Sequence, residues 1–235
     1  MFKIRESAES HGRFTVQWMA EKGFKRVAVL LDNSNDSFVS VSKTVEAGIP
    51  RTGGSIVSVQ SFQAGEKDFK TVISKLRESN PDIVYVVANS PEASLFLQQA
   101  KELDFNTTFF GAVSLDNADL IAQSKGAAEG FIVETNFDCA QNNPTVKAFC
   151  QAYSSKYGKE PQYYSAYWYD SINLLAKAVQ ECPAMEKECI RESLARTQDF
   201  PGVTGVISLD GNGAVKDKAF ITKIVRNGKF ELLEN

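Results

Sequence analysis

The chain of 235 residues is long enough for one large domain or two small ones, and its 43% hydrophobic content is ample for a packed core. Its net charge of −3, from 26 basic and 29 acidic residues without a basic cluster, argues against binding nucleic acid through phosphate contacts. No apolar run approaches the roughly 20 residues of a membrane-spanning helix, and the polar stretch 1–13 does not resemble a signal-peptide core. We therefore expect small molecules or proteins as partners.

The first 136 residues alternate between helical and β-type patterns. The alternation predicts one parallel sheet with helices on both faces, joined by right-handed crossovers. The expected helices are 10–22, 38–47, 69–79, 91–103 and 117–124, and the expected strands are 26–31, 55–62, 83–88, 108–111 and 131–135.

After residue 136 the pattern becomes mainly helical and then returns to strands. The expected helices are 144–157, 165–180 and 185–195, and the expected strands are 206–209, 218–225 and 229–233. The Asn227-Gly228 turn between the last two strands predicts a terminal β-hairpin.

The four cysteines fall into two close pairs, Cys139 with Cys150 and Cys182 with Cys189. Neither pair has the short spacing of a zinc knuckle or a redox motif. The pairs are either two local disulfides or four buried thiols, because a free cysteine packs as a small apolar residue. Disulfides would indicate an oxidising compartment outside the cytoplasm.

The sequence offers little for catalysis. His11 is the single histidine, and no cysteine or carboxylate lies at ligand spacing from it. We expect it on the surface rather than in a catalytic role, which needs a positioned partner. The common hydrolase, nucleotide and zinc-protease motifs are also missing from the sequence. We therefore expect neither an enzyme nor a metal or cofactor.

Four polar loops follow the expected strands at their carboxyl ends, at 32–38, 63–67, 89–90 and 112–117. Open α/β sheets bind ligands at this edge, and converging amides, hydroxyls and a carboxylate suit a polar organic molecule. The alternative is that Asn, Asp and Ser occur there because they form turns and helix caps. From the aromatic cluster at 163–169 we select Tyr164 as a ring that faces the ligand.

Six short motifs carry a resemblance to a known family. The chain resembles the type I periplasmic solute-binding proteins of ABC importers, in their branch that binds Leu, Ile and Val. The motifs, in the family's order over nearly the whole chain, are AGEKDF at 64–69, NPDIVY at 80–85, AEGF at 128–131, YGKEP at 157–161, YDSINLL at 169–175 and GVTG at 202–205.

The resemblance implies two α/β lobes joined by three crossovers, which close on a ligand in the cleft between them by a hinge. It places 1–136 and 206–235 in a complete second lobe, and 137–205 in the helical remainder of a first lobe. Most of the first lobe's sheet would precede Met1. The uncovered helices are then expected to recruit a partner or a second copy as a homodimer. Periplasmic location and ABC importer membrane subunits as partners follow from the same resemblance.

The resemblance also places the binding residues. Two tyrosines and a glutamate that hold leucine-like amino acids in the family fall on Asp36, Asn89 and Val113. A valine cannot pair with an ammonium group, so an aliphatic amino acid is expected only if Asp36 replaces the lost glutamate. The expected ligand-binding residues are Asp36, Phe38, Asn89, Ser90, Val113, Ser114 and Tyr164.

The expected function is binding of a small polar ligand, an amino acid or a related organic acid or amide, for an ABC importer. A ligand-sensing receptor domain and a truncated, self-associating relic are the alternatives. The loop 64–69 serves here as a family marker, and Glu66 and Asp68 are expected to cap the helix that begins near Phe69.

Overall fold

The computed structural model describes residues 1–216 and 218–233, and the chain forms two compact units. Unit 1 comprises Met1–Glu6 and Thr135–Ile221, and unit 2 comprises Ser7–Glu134 and Thr222–Asn235. The chain therefore passes between the units three times. The division differs from the expected one, because 1–6 and 206–221 group with the helical segment.

Unit 2 is built on a seven-stranded sheet with the order β2-β1-β3-β4-β5-β8-β9. The first five strands run parallel, and β8 and β9 form the predicted antiparallel hairpin. The strands are β1 Arg26–Asp32, β2 Ser55–Phe62, β3 Ile83–Val87, β4 Thr108–Gly111, β5 Ile132–Thr135, β8 Ile221–Arg226 and β9 Lys229–Leu233.

Five helices cover both faces of this sheet, as expected for a parallel sheet. They are α1 Ala8–Glu21, α2 Asp36–Gly48, α3 Lys70–Glu78, α4 Ser90–Glu102 and α5 Ala118–Ser124. Successive strand residues point to opposite faces, so Val84 and Val86 join the apolar cluster of α3, α4 and α5. Tyr85 and Val87 join Trp18 and the other apolar residues of α1 and α2.

Unit 1 contains three helices, α6 Pro144–Tyr157, α7 Tyr163–Gln180 and α8 Lys187–Ala195, with a two-stranded antiparallel sheet of β6 Phe200–Gly202 and β7 Gly205–Ile207. The Asn143 side chain caps the start of α6, and Gly158, at φ 68°, ends it. A small core of Leu174, Ile207 and Leu209 also packs against Phe2.

Two disulfides brace the helices of unit 1. Cys139 pairs with Cys150 of α6, and Cys182 pairs with Cys189 of α8. Each links a loop to a helix that follows it closely in the chain. Within the described part of the chain, no helix is both long and apolar enough to cross a membrane.

The loop 64–69 orders the start of α3. Asp68 accepts a hydrogen bond from the Lys70 N–H, whereas Glu66 accepts from the N–H groups of Lys67 and Asp68 in the preceding turn. These two backbone hydrogen bonds lower the pKa of Glu66. The N-cap residue of α3 is Phe69, which makes no side-chain capping hydrogen bond, so the expectation that Glu66 and Asp68 cap this helix is wrong. Asp68 binds the first helical N–H from the position before the N-cap, and Glu66 holds the turn before it.

Candidate functional site

The candidate site lies in unit 2, at the carboxyl edge of its parallel strands. Leu31 of β1 pairs with Val87 of β3, and Val86 of β3 pairs with Gly111 of β4. The three strands therefore end side by side, about 4.8 Å apart from neighbour to neighbour. The loops and helix starts that follow them carry all but one of the expected ligand-binding residues.

Ser90 and Ser114 hold these loops together. The Ser114 hydroxyl donates to the Ala88 carbonyl at 2.7 Å, and the Ser90 hydroxyl donates to Asn117 Oδ1 at 2.9 Å. The Asn117 amide in turn donates to the Ser114 carbonyl at 2.7 Å and accepts from the Leu120 N–H at 3.1 Å. Both hydroxyls make hydrogen bonds within the protein, so their role is to hold the loops in place at this edge of the sheet.

Asp36 and Asn89 are exposed and differ from the two serines in this respect. Asp36 is the first residue of α2, whose N-terminus is capped by the neighbouring Asn35 side chain. Asn89 precedes α4, and its side chain makes no capping hydrogen bond. Both polar groups thus remain available to a ligand at the positive ends of two helices.

Val113 and Phe38 supply apolar surface at this edge. Val113 is buried at the start of a short 3-10 helix, Val113–Leu115. Phe38 is half-buried and packs against the core beneath α1 and α2. Neither side chain can pair with a charge, so Asp36 is the one carboxylate among the expected ligand-binding residues.

Tyr164 belongs to α7 in unit 1. The residue is 45% exposed, and the centroid of its ring lies 4.0 Å from that of the Tyr163 ring. The Arg5 guanidinium carbon lies 5.7 Å from the centroid of the Tyr164 ring, within the range of a cation–π contact. Tyr163 and Arg5 therefore both contact the Tyr164 ring, while nearly half of the residue stays exposed.

The expectation of an exposed His11 is wrong. His11 is 6% exposed, and its Nδ1 lies 3.1 Å from Oε1 of the fully buried Glu134. Thr15, one turn later in α1, donates to the second Glu134 oxygen at 3.1 Å. A buried carboxylate needs such partners, so His11 fixes α1 against β5. The two residues are 123 positions apart, which is why local spacing did not reveal the pair.

A second buried polar cluster lies in unit 1, and no local pattern in the sequence predicted it. The Tyr167 hydroxyl donates to Glu6 Oε2 at 2.5 Å and lies 3.0 Å from the Asn136 amide oxygen. Lys218 Nζ is 3.4 Å from Glu6 Oε1 and donates to the Thr204 hydroxyl at 2.8 Å. Two of its members stood out in the sequence, Tyr167 in the aromatic cluster and Thr204 in the GVTG motif.

Burial dominates the electrostatics of this cluster. It lowers the pKa of Lys218, although the carboxylates of Glu6 and Asp170 act in the opposite direction. Burial also raises the pKa of Tyr167, and the neighbouring Glu6 carboxylate raises it further. The phenol therefore stays protonated and acts as a hydrogen-bond donor.

The cluster joins the three places where the chain changes units. Glu6 precedes the first passage, Asn136 follows the second, and Lys218 lies shortly before the third. The Asn136 amide also donates to the Ala219 carbonyl at 2.8 Å, which links two of these segments directly. The unit 1 ends of all three connections are thus held by one set of buried contacts.

No group of three or more His, Cys, Asp or Glu side chains that could hold a metal occurs among residues 1–216 and 218–233.

A family model described as "Periplasmic binding protein" matches residues 1–229. The chain belongs to the periplasmic binding protein family. The leucine-, isoleucine-, valine-, threonine- and alanine-binding protein of Pseudomonas aeruginosa is 29% identical over 200 residues, which are 83% of this chain and 52% of that protein. The leucine-specific-binding protein of Salmonella typhimurium is 30% identical over 197 residues, with the same two coverages. The chain thus spans about half the length of these curated relatives.

Solved structures of the family agree with the fold. The leucine-binding protein LivK of Thermotoga maritima is 30% identical, with a TM-score of 0.87 over 97% of this chain and 65% of that one. LivJ of Streptococcus pneumoniae, solved with isoleucine, is 27% identical, with a TM-score of 0.87 over 96% of this chain and 65% of that one. The predicted family and type I fold are confirmed, and the relatives are substrate-binding proteins, not enzymes.

Proposed function

We propose that this chain is a solute-binding protein of an ABC importer, which binds a small polar organic ligand and catalyses no reaction. Membership of the periplasmic binding protein family supports this proposal. Two disulfides and the family's extracytoplasmic location support a place in the periplasm or outside the cell. The membrane subunits of the importer would be its protein partners.

The observation that carries the proposal is the pair of exposed polar side chains at adjoining strand ends. Asp36 and Asn89 keep their hydrogen-bonding groups available, while Ser90 and Ser114 are used to hold the loops. An amide can both donate to a carboxylate and accept from an N–H group, and a carboxylate accepts from an ammonium or an amide. This pair suits an amino acid, or a related small organic acid or amide.

Asp36 decides between these ligand classes. Because Val113 stands where the resemblance expects a glutamate, an ammonium group would depend on Asp36 for its charge partner. Tyr164 lies in the other unit, and its part in binding is proposed from the family resemblance and its exposed ring. Closure of two lobes on the ligand is likewise carried over from that resemblance.

The test is calorimetry and melting-shift measurement against leucine, other amino acids, small carboxylates and small amides. We expect weak binding at most, because the chain covers about half of its relatives' length. Asn89→Ala should weaken binding about tenfold, the effect of one lost hydrogen bond. Asn106→Ala is the matched control, since Asn106 is also exposed but precedes β4 at the opposite edge of the sheet.

A second pair of variants tests the ligand class. Asp36→Asn should weaken ligands that carry an ammonium group and leave simple carboxylates unaffected, whereas Asp119→Asn, in the first turn of α5, should affect neither. A panel in which no compound raises the melting temperature would count against the proposal, because a ligand that binds the folded state stabilises it. Submicromolar leucine binding would show that the loss of the family glutamate does not matter.

A further inference from the structure

A buried ion pair joins β8 to the loop 112–117 of the candidate site. Lys223 Nζ lies 2.8 Å from Asp116 Oδ1, and the two residues are 8% and 3% exposed. The Phe230 ring lies beside the same ammonium group, with its centroid 5.5 Å from Nζ, within the range of a cation–π contact. Both charges are thus largely removed from water, and both lie within unit 2.

The strand β8 places Lys223 on the side of the sheet where this loop packs. β8 is the neighbour of β5, and the Val225 N–H donates to the Phe131 carbonyl at 2.9 Å, immediately before β5. Earlier residues of β8 therefore extend along β5 toward its carboxyl end. Side chains two positions apart share a face of a strand, so Lys223 lies on the face of Val225. Val225 and Leu115, the neighbour of Asp116, are buried in the apolar cluster of α3, α4 and α5.

The loop 112–117 is held from two sides. Toward β3, the Ser114 hydroxyl donates to the Ala88 carbonyl at 2.7 Å. Toward β8, Asp116 pairs with Lys223. The Asp116 N–H also donates to the Val113 carbonyl at 3.1 Å, so the two residues belong to one turn. The position of the Asp116 carboxylate therefore determines where this turn presents Val113 and Ser114.

An ion pair of this kind is weakly justified by stability alone. Taking two charges out of water costs free energy that their attraction roughly offsets, and apolar residues of similar volume are often equally stable or more so. Removing one partner has a different effect, because the other charge then stays buried by itself. What the pair adds is direction: its charged atoms must meet, whereas apolar side chains can pack in several ways.

We propose that Lys223 and Asp116 are a positioning pair for the ligand-binding loop, which hold 112–117 in the conformation that binds the ligand. The inference rests on the proposed function, because it concerns how that same site is built. The pair acts through Val113 and Ser114 and does not touch the ligand itself. Val113 stands where the resemblance expects a glutamate, so a displaced turn would change the surface that meets the ligand.

The first test replaces the pair by apolar residues, Lys223→Met together with Asp116→Leu. The double variant should melt at or above the wild-type temperature. Its affinity for the ligand found in the calorimetry panel should fall at least about tenfold, the factor for one charge-assisted hydrogen bond. A purely structural role would instead lower stability and affinity together. Lys223→Met alone should melt at a lower temperature, because the buried Asp116 carboxylate loses the charge that faces it.

The second test measures amide hydrogen exchange in the loop and needs no ligand. The N–H groups of Leu115 and Asn117 are hydrogen-bonded within the turn. They should exchange at least about tenfold faster in the double variant, as a local opening. The Glu66 N–H, which donates to the Gln63 carbonyl in the loop after β2, should keep its rate.

The matched control removes an exposed ion pair of the same hairpin. Arg226 and Glu231 lie 3.9 Å apart, and Arg226→Gln with Glu231→Gln should change neither the exchange rates nor the affinity. Unchanged exchange at Leu115 and Asn117, equal affinity of the double variant and the wild type, or a joint loss of stability and affinity would each overturn the proposal. If the wild type binds no compound of the panel, the proposed function fails, and the exchange rates still decide whether the pair holds the loop.

Discussion

Asp170 and Thr204 are joined by two hydrogen bonds in the interior of unit 1. The Thr204 N–H donates to Asp170 Oδ2 at 2.9 Å and its hydroxyl donates to the same oxygen at 2.6 Å, while the Val203 N–H donates to Oδ1 at 2.8 Å. The carboxylate thereby fixes the turn between β6 and β7. The family motifs YDSINLL and GVTG thus contact each other, through the Asp170 carboxylate of the first and residues Val203 and Thr204 of the second.

Asp170→Asn should lower the free energy of unfolding by about 1–3 kcal/mol. The new NH₂ group would face backbone N–H groups that now donate to a carboxylate, which leaves a buried donor without its acceptor. Urea denaturation measures the loss. Asp199→Asn is the control, since Asp199 is exposed at φ 50°, a conformation that asparagine tolerates. Equal stability of the two variants would contradict the role of the carboxylate.

Gly202→Ala should destabilise the chain by about 1–3 kcal/mol through overpacking. A Cβ atom at Gly202 would lie 2.7 Å from Asp170 Oδ2 and 2.8 Å from the Gly205 carbonyl oxygen. Gly211→Ala is matched to it, because a Cβ there would meet no atom within 4 Å. Thermal melts of the two variants should separate clearly, with only the first shifted downward.

Two buried phenols should make the chain lose stability in alkali. Burial raises the pKa of both Tyr85 and Tyr167. In the unfolded chain a tyrosine ionises near pH 10, so the contribution of each phenol is complete below that pH and declines as the pH rises above it. Ultraviolet absorbance should show a step in tyrosinate on alkaline unfolding. The step should shrink in Tyr85→Phe and Tyr167→Phe but persist in Tyr157→Phe, where the ring is exposed.

The two disulfides should each stabilise the chain by about 2–3 kcal/mol, because closing a loop of this size lowers the conformational entropy of the unfolded chain by a corresponding amount. The sequence separations are 11 for Cys139–Cys150 and 7 for Cys182–Cys189. Replacing each pair by serine, and comparing urea denaturation with and without reductant, separates the two contributions. A wild type whose denaturation midpoint does not respond to reductant would contradict this prediction.

Local patterns located most elements of the fold. β2, β4 and α6 have the expected bounds, because alternating or helical apolar periods are flanked there by Gly, Pro or Asn. The strand β6 was not predicted, since Phe200-Pro201-Gly202 has poor strand propensity and depends on pairing with β7. The turn that pairs β6 with β7 is held by Asp170, a contact from outside this segment that the local pattern does not show.

Contacts between distant residues account for what could not be predicted. Glu134 contacts His11, which is 123 positions away in the sequence. Glu6 accepts a hydrogen bond from Tyr167, which is 161 positions away. At the candidate site, the strand pattern predicted that the polar loops follow the carboxyl ends of neighbouring strands, and the structure places them there. It could not distinguish Ser90 and Ser114, which hold the loops together, from Asp36 and Asn89, which remain open to a ligand.

The first six residues belong to unit 1, although the rest of that unit begins at Thr135. Lys3 forms a bridge with Ala214, and Glu6 lies beside Lys218. At about 5–20 residues per second, the ribosome takes roughly 10–40 s to reach these partners. Residues 1–6 are therefore made well before residues 214 and 218, and they can take their final contacts only after those residues have been made. A nascent chain stopped before Lys218 would leave the Glu6 carboxylate without its cation.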